Sequence, residues 1–241
     1  MSVLDRYGPE VQRVPADAPI EDIIALLKRD GGVFVKGLVS EADVDKAGQL
    51  LPQQVLFNIL TTMRIGPGGK AQPLHRDDYI SHNIHNNIEK WDDERDVNRE
   101  SAVGLFVAGS KVTKENGGTQ FIQGSHLWGS ERGPPRVEDC IYAEMDKGDA
   151  FIMLASAYHG GGTNSTKDQH RLVFATFAVR GFLRQEENQF LAVPRETAMK
   201  LDQDIQAFMG YSMSDPACGY VEQVDPIYLL RPELEKSPSD F

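Results

Sequence analysis

Short apolar runs that end in turns rich in glycine or asparagine recur along the middle of this chain. GVFVKGLVS begins at Gly32, SAVGLFVAGS at Ser101, and RLVFATFAV at Arg171. Short runs rich in branched and aromatic residues are typical of strands, and many short strands joined by turns favour a sandwich or jelly roll. We therefore expect a mainly β core that carries α-helices at its flanks.

Helical patterns occupy both ends of this core. Ile20, Ile23, Ile24 and Leu27 recur at helical spacing before Gly31, which predicts a helix over 19–31. A second helix is expected after Ser40, whose hydroxyl can cap it. We interpret the chain as one domain, with a helical flank at about 1–54, a core at about 55–185 and a C-terminal helix and tail at about 186–241.

Three shorter segments refine this picture. Residues 55–67 are predicted to form a buried strand that leads towards His75. Residues 85–99 are polar and strongly charged, which indicates either a solvated loop or a lid. Near the C-terminus, the apolar residues of PRETAMKLDQDIQAFMGY form one helical stripe. The members of that stripe are Ala198, Leu201, Ile205 and Phe208.

Composition limits the classes of function. The formal net charge is −11 in 241 residues, and no basic patch interleaved with aromatic residues occurs, so nucleic acid is an unfavourable partner. The same charge disfavours an acyl-CoA, whose phosphates would require a cluster of lysines and arginines. No apolar stretch reaches membrane-spanning length and no secretory signal is evident, so we expect a cytoplasmic protein that does not bind membranes. Cys140 and Cys218 show no metal-ligand spacing and are interpreted as reduced thiols.

The tripeptide His75-Arg76-Asp77 carries the first sign of chemistry. In an extended strand, side chains at positions i and i+2 point to the same face, so His75 and Asp77 are expected to converge while Arg76 points away. A third ligand from a neighbouring strand would complete the two-histidine, one-carboxylate triad that holds Fe(II) in non-haem enzymes and leaves coordination positions open. A pair of polar residues on an exposed strand is the alternative interpretation.

His159 is the favoured third ligand. It ends the apolar run of residues 149–159, which is predicted to be one buried strand, and the glycines after it permit close approach of the backbone. Arg171 follows twelve residues later at the start of another strand. Its planar guanidinium matches a carboxylate with two parallel hydrogen bonds, as the distal carboxylate of a 2-oxoglutarate cosubstrate would require.

Four segments in order resemble the phytanoyl-CoA dioxygenase family, and within it the fungal branch that modifies alkaloid and meroterpenoid natural products. They are AQPLHRDDYISH, ENGGTQFIQGSHLWG, GDAFIMLASAYHGGGTN and ENQFLAVPRE. The resemblance runs from about residue 31 to about residue 231. It implies a double-stranded β-helix, the jelly roll of the cupins, and a dioxygenase that requires Fe(II), 2-oxoglutarate and O2.

The resemblance also implies roles for individual residues. Gln72 and Thr119 match positions that contact 2-oxoglutarate, whereas Met63, Tyr79 and Ile80 match positions of the substrate pocket. His126 matches a family position that supports structure, while His82 and His85 lie on the loop after the HxD pair and are expected to lie outside the metal's ligand set. The carboxylate of Asp77 argues for oxygenation over halogenation, because a small residue at that position would open a site for halide.

The reaction implied by the resemblance is hydroxylation, desaturation or a related rearrangement of a small secondary metabolite, in a homodimer or in a mixed dimer with a homologue. Relatives in that branch carry several dozen more residues between the N-terminal helices and the strand before the HxD pair. A second hypothesis is therefore a non-catalytic or partner-dependent homologue that binds metal and cosubstrate but lacks a complete pocket. A third is a cupin-like metal-binding protein or isomerase without cosubstrate, against which Arg171 and Thr119 count.

Overall fold

The alternation of apolar residues in the middle of the chain produces two facing β-sheets. The computed structural model describes residues 3–50, 60–96, 98–215 and 217–235. In this part of the chain the strands are β1 (Arg13–Pro15), β2 (Gly32–Lys36), β3 (Leu60–Ile65), β4 (Ala102–Ala108), β5 (Thr119–Phe121), β6 (Ile141–Ala143), β7 (Ala150–Leu154), β8 (His159–Gly160) and β9 (Arg171–Val179).

The helices are short and lie mostly outside the sheets. The α-helices are α1 (Ile20–Asp30), α2 (Glu41–Leu50), α3 (Asp93–Asp96), α4 (Gln189–Ala192), α5 (Arg195–Ala198) and α6 (Gln203–Phe208). The 3-10 helices are Val3–Arg6, Asp77–Ser81, Ser125–Leu127, Val137–Asp139, Pro226–Leu229 and Pro232–Leu234.

The larger sheet has six strands in the order β1-β2-β7-β4-β9-β3, and the smaller has three in the order β6-β5-β8. Strands β2 and β4 pair antiparallel on either side of β7, so that Phe34 and Phe106 both face Phe151 in register. Neither sheet closes into a barrel. The mainly β jelly-roll core that the sequence predicts is confirmed.

The main hydrophobic core lies between the two sheets. Phe34, Phe151 and Val173 contribute from the large sheet, while Phe121 and Ala143 contribute from the small one. The rings of Phe121 and Phe151 meet edge to face, with centroids 5.1 Å apart, an arrangement that adds to the stabilisation from burial alone. Packing across this layer fixes the position of β8, which carries His159.

Helix α1 covers the outer face of the large sheet. Its Leu26 is fully buried against Val33 and Val35 of β2, whose side chains point away from the sandwich interior. The helix ends at Gly31, which adopts the left-handed conformation at φ 78° and donates its amide to the carbonyl of Leu27. Both the predicted helix and its glycine stop are confirmed, as is the cap on α2, where Ser40 Oγ accepts from the amide of Asp43 at 3.1 Å.

Two local predictions are wrong. Residues 149–159 form two strands in different sheets, β7 and β8, because the turn at 155–158 carries the chain from one sheet to the other. The C-terminal stripe is divided between α5 and α6 by Asp202, which opens α6 in an extended conformation, and Phe208 is 48% exposed. Of the predicted strand at 55–67, residues 60–65 are extended as β3, and the part before residue 60 lies outside the described residues.

The described residues divide into two compact units, one within residues 3–50 and 61–177 and the other made of Leu60 and the described residues of 178–235. The second unit has its own small core, in which Val193, Met209 and Tyr211 are buried with Ile227 and Leu230. No helix among the described residues is long and apolar enough to cross a membrane. Cys140 and Cys218 form no disulfide.

Candidate metal centre and cosubstrate site

His75, Asp77 and His159 converge on one point of the first unit. One ligand atom from each of the three lies within 4.8 Å of the others. Asp77 lies between the two imidazoles, with Oδ1 3.4 Å from His75 Nε2 and Oδ2 3.4 Å from His159 Nε2. Two imidazole nitrogens and a carboxylate facing one space form the donor set of a non-haem iron centre.

Backbone pairing fixes the two histidines relative to one another. The amide of His75 donates to the carbonyl of His159 at 2.8 Å, and the amide of His159 donates to the carbonyl of His75 at 2.9 Å. His75 is thus an isolated bridge residue opposite the first residue of β8. The extended strand expected through Asp77 is wrong, because Asp77 opens the 3-10 helix Asp77–Ser81 and this helix turns its carboxylate towards the imidazoles.

The hydrogen bonds of both imidazoles suit a metal ion. His75 Nδ1 donates to the carbonyl of Pro73 at 2.8 Å, and His159 Nδ1 donates to that of Ala157 at 3.1 Å. A carbonyl can only accept, so each ring keeps its proton on Nδ1 and presents an Nε2 lone pair to the shared space. Such hydrogen bonds are the usual support of metal-binding histidines. The buried Oδ2 of Asp77 has no hydrogen-bond partner among the described residues, so the three side chains fit a divalent cation.

Electrostatics distinguish the two rings. The hydrogen bond to Asp77 raises the pKa of His75, and its effect exceeds the opposing effect of burial. For His159 the order is reversed, because burial lowers the pKa of this ring more than the charge of Asp77 raises it. Burial thus favours the neutral form of His159, whereas the carboxylate of Asp77 favours the protonated form of His75.

Arg171 lies at the first position of β9 as a buried cation. Its Nη1 donates to the carbonyl of Gly117 at 2.7 Å, and its buried Nε has no hydrogen-bond partner in the part of the chain that the structure describes. Burial lowers the pKa of this guanidinium. None of the carboxylates in the described part of the chain forms an ion pair with it. A desolvated guanidinium with an unused donor is suited to an anionic ligand, because an unpaired buried charge is costly.

Gln72 and Thr119 lie in segments that are connected to the ligands. Gln72 Oε1 accepts from the amide of Gly161 at 2.8 Å, two residues beyond His159, which orients the side-chain amide. Thr119 is half-buried and opens β5, two residues after the carbonyl that Arg171 binds. Both residues thus have backbone connections to the candidate site, and their contact with 2-oxoglutarate stays a prediction.

The three predicted pocket residues differ in their surroundings. Met63 of β3 packs half-buried against the main core. Tyr79 and Ile80 project from the 3-10 helix that begins with Asp77 and are 44% and 62% exposed. The hydroxyls of Tyr79 and Tyr158 are 2.9 Å apart, so this helix is hydrogen-bonded to the segment before His159.

A buried polar cluster beside the candidate metal ligands was not apparent from the sequence. His85 Nε2 forms a short, buried hydrogen bond with the carboxylate of Asp78, and Glu100 accepts from the hydroxyl of Ser156. Burial raises the pKa of Glu100. His126 is completely buried and donates from Nε2 to the carbonyl of Lys28 at 3.0 Å, which agrees with a structural role. The contacts of Glu100 and of His126 join segments that are 56 and 98 residues apart, so spacing alone gives no signal for them.

The fold and the centre together define a class of protein, the non-haem iron dioxygenases built on a jelly roll, and comparison with known proteins identifies the family. The model of phytanoyl-CoA dioxygenase (PhyH) matches residues 33–172. Dioxygenase swnH1 of Arthroderma benhamiae is 33% identical, over 97% of this chain and 96% of the relative. Dioxygenase cnsJ of Penicillium expansum is 37% identical, over 73% of this chain and 52% of the relative. The chain belongs to the PhyH family and is a 2-oxoglutarate-dependent non-haem iron dioxygenase.

Structural comparison agrees on the fold. The crystal structure of apo HygX from Streptomyces hygroscopicus has a TM-score of 0.51 at 13% identity, over 69% of this chain and 88% of that one. The alignment with swnH1 spans 302 positions, although 97% of 241 residues is only about 234, so about 68 positions face no residue of this chain. This agrees with the expectation that relatives carry several dozen more residues. The expected place of the difference, around residues 48–56, lies mostly outside the described part of the chain.

Proposed function

We propose that this enzyme oxidises an apolar, polycyclic small molecule of secondary metabolism with Fe(II), 2-oxoglutarate and O2, by hydroxylation or desaturation. The observation that carries this proposal is the convergence of His75, Asp77 and His159 in a chain that also buries Arg171, which forms no ion pair with any carboxylate of the described residues. Three ligands on one side of a cation leave positions for cosubstrate and O2. A purely structural metal site would have no use for the unpaired arginine.

In this proposal each residue has a distinct task. His75, Asp77 and His159 hold Fe(II), and Arg171 receives the distal carboxylate of 2-oxoglutarate in two parallel hydrogen bonds. Gln72 and Thr119 contact the cosubstrate from the segments next to His159 and Arg171. Burial of Arg171 excludes water from its surroundings and so strengthens its attraction for the carboxylate.

The overall reaction balances without a further reductant. When bound, the Fe(II) centre supplies the activation of O2 that converts 2-oxoglutarate to succinate and CO2 while one oxygen atom enters a C–H bond of the substrate. Desaturation would instead remove two hydrogens from the substrate and release water. The chain contributes positioning and exclusion of water, because none of its acid–base groups is needed for these steps.

The nature of the substrate is inferred from the surface next to the centre. The exposed side chains of Tyr79 and Ile80 lie two and three residues after Asp77, and Ile84, three residues after the 3-10 helix, is 85% exposed. Apolar side chains at the edge of a site favour an apolar ligand. The resemblance to the fungal branch that modifies alkaloids and meroterpenoids supports the same class. We place the enzyme in the cytoplasm and expect a homodimer, or a mixed dimer with a homologue.

One experiment tests this function. Purified apoprotein is mixed with Fe(II) and 2-oxoglutarate without oxygen, and we expect the visible charge-transfer band of the chelated cosubstrate. On admission of oxygen, succinate should form faster in the presence of apolar polycyclic compounds than in their absence. Failure of the band to appear in wild-type protein would refute the iron and 2-oxoglutarate assignment. A normal band without substrate-coupled succinate across a broad panel would favour the homologue with an incomplete pocket.

A further inference from the structure

The residue between the first two metal ligands is buried. Arg76 is only 2% exposed, and its Nη2 donates to the carbonyls of Ser125 and Trp128, both at 2.9 Å. Its guanidinium also lies over the ring of Tyr158, 4.4 Å from the centroid. A fully buried arginine is unusual unless it has a specific partner. Here the partners are the backbone of one turn and the residue that precedes His159.

Ser125 reaches the other metal-binding segment from the same turn. This residue is completely buried, and its hydroxyl accepts from the amide of Tyr158 at 2.7 Å and donates to the carbonyl of Ile122 at 2.7 Å. The amide of Ile122 in turn donates to the carbonyl of Tyr158 at 3.0 Å. One serine therefore contacts the segment of His75 and Asp77 through its carbonyl and the segment of His159 through its hydroxyl.

The turn itself is anchored to the N-terminal part of the fold. His126 donates to the carbonyl of Lys28, and the amide of Gly124 donates to the carbonyl of Asp30 at 2.8 Å. From the opposite side, Arg99 donates to the carbonyl of His126 through Nε at 3.0 Å and through Nη2 at 2.8 Å. The turn is thus held in place by hydrogen bonds to Lys28, Asp30 and Arg99, in addition to its contacts with the two candidate metal-binding segments.

We propose that Arg76 and Ser125 are positioning residues for the metal centre, which set the distance between the His75–Asp77 segment and His159. Neither residue contacts the metal; each acts through the backbone next to a ligand. The inference rests on the proposed function in that Fe(II) is taken as the bound metal. Groups that orient metal ligands from behind commonly change metal affinity when they are altered.

The first arm of the test is independent of metal. Amide hydrogen exchange is measured in apoprotein at His75 and His159, because the hydrogen bonds between these two residues report directly on the pairing of the segments. Ser125→Ala removes only the hydroxyl, and Arg76→Met removes the guanidinium. In each variant, we expect exchange at the two histidine amides to accelerate relative to wild type. This acceleration should exceed the average acceleration at the other amides of the same variant by at least about tenfold.

Asp22→Asn is the matched control. Asp22 is a buried carboxylate of the same unit that accepts from Arg6 and from the Tyr7 hydroxyl, each at 2.7 Å, far along the chain from the metal segments. In this variant, exchange at His75 and His159 should accelerate no more than exchange at the other amides. Exchange at these two amides that matches the control in both test variants would overturn the proposal.

The second arm measures Co(II) binding by its visible absorption spectrum, which reports coordination geometry. Ser125→Ala and Arg76→Met should bind Co(II) about 10- to 100-fold more weakly and with an altered spectrum, whereas Asp22→Asn should match wild type in both. Wild-type affinity and spectrum in both test variants would contradict the positioning role. Failure of wild-type protein to bind Co(II) would count against the proposed function instead, and the exchange arm would still decide whether Arg76 and Ser125 hold the segments together.

Discussion

Arg171 Nη1 donates to the carbonyl of Gly117 at 2.7 Å, which ties the start of β9 to the turn that precedes Thr119. The two residues lie 54 positions apart, and the contact is buried. One side of the guanidinium is thereby fixed to the protein, while its Nε has no partner among the described residues. The proposed carboxylate-binding group is therefore oriented before any ligand arrives.

We predict that Arg171→Ala weakens binding of 2-oxoglutarate by about 100-fold, because hydrogen bonds to charged groups contribute about 1.5–3 kcal/mol. Arg171→Lys should lose less, since it keeps the charge without the planar pair of donors. Anaerobic titration of the Fe(II)-loaded protein, followed by its charge-transfer band, gives the affinities. Arg136→Ala is the control, because the guanidinium of Arg136 forms an exposed ion pair with Asp139. Equal affinity in all four proteins would remove Arg171 from the cosubstrate site.

We predict that Asp77→Asn lowers the affinity for a divalent metal ion by more than about tenfold. The amide has the shape of the carboxylate but not its charge, and Asp77 is the anionic member of the three. Calorimetric titration with Co(II) in the absence of oxygen measures the loss. His82→Asn provides the comparison, because His82 is exposed and asparagine tolerates its left-handed backbone at φ 55°. If Asp77→Asn kept its affinity for Co(II) and His82→Asn lost it, the metal ion would have to bind elsewhere than at Asp77.

Gly162 provides a test of the close approach beside the site. A Cβ there would lie 2.5 Å from the carbonyl oxygen of Gly118, a backbone atom that cannot move aside cheaply. Gly162→Ala should therefore cost about 1–3 kcal/mol of stability and weaken 2-oxoglutarate binding by displacing the Gly117–Thr119 turn. Gly133→Ala, which meets nothing within 4 Å, should be neutral in both urea unfolding and ligand titration. Equal behaviour of the two variants would contradict this account.

The burial of His126 predicts a pH dependence of stability. Burial lowers the pKa of this ring to about 4, whereas in the unfolded chain it is near the ordinary value of about 6.5. The unfolded state therefore binds more protons between these values, and the free energy of unfolding should fall as the pH drops from about 6.5 to about 4. The full loss is about 3 kcal/mol below that window. Urea unfolding of apoprotein at several pH values, compared with His126→Gln, isolates this contribution, since the glutamine variant should show a flatter profile.

Features set by neighbouring residues in the chain could be predicted from the sequence. Helix α1 follows its apolar spacing to within one residue of each predicted end, and Gly31 terminates it because glycine accepts a positive φ. Strands β2 and β4 likewise follow their apolar runs. The spacing of His75 and Asp77 and the apolar run before His159 were sufficient to select three side chains that converge.

Features that depend on distant partners could not be predicted in this way. The break between β7 and β8 leaves no mark in an apolar run, because small buried residues such as Ala155 and Ala157 suit a strand as well as a turn. The extended geometry assumed for Asp77 failed because its backbone is set by a 3-10 helix. Arg76 was expected only to point away from the ligands, since nothing near it in the sequence reveals the carbonyls of Ser125 and Trp128 that hold it.

The reciprocal backbone hydrogen bonds between His75 and His159 have a consequence for how the enzyme regains its metal after losing it. Non-haem iron is easily lost to chelators or to oxidation, and an enzyme whose ligands drifted apart would have to refold around each new ion. Here two backbone hydrogen bonds that use none of the ligand atoms hold the two histidines opposite one another. Reactivation of iron-depleted enzyme by added Fe(II) should therefore follow second-order kinetics without a lag. Its rate should be limited by the binding of the ion and not by refolding of the site.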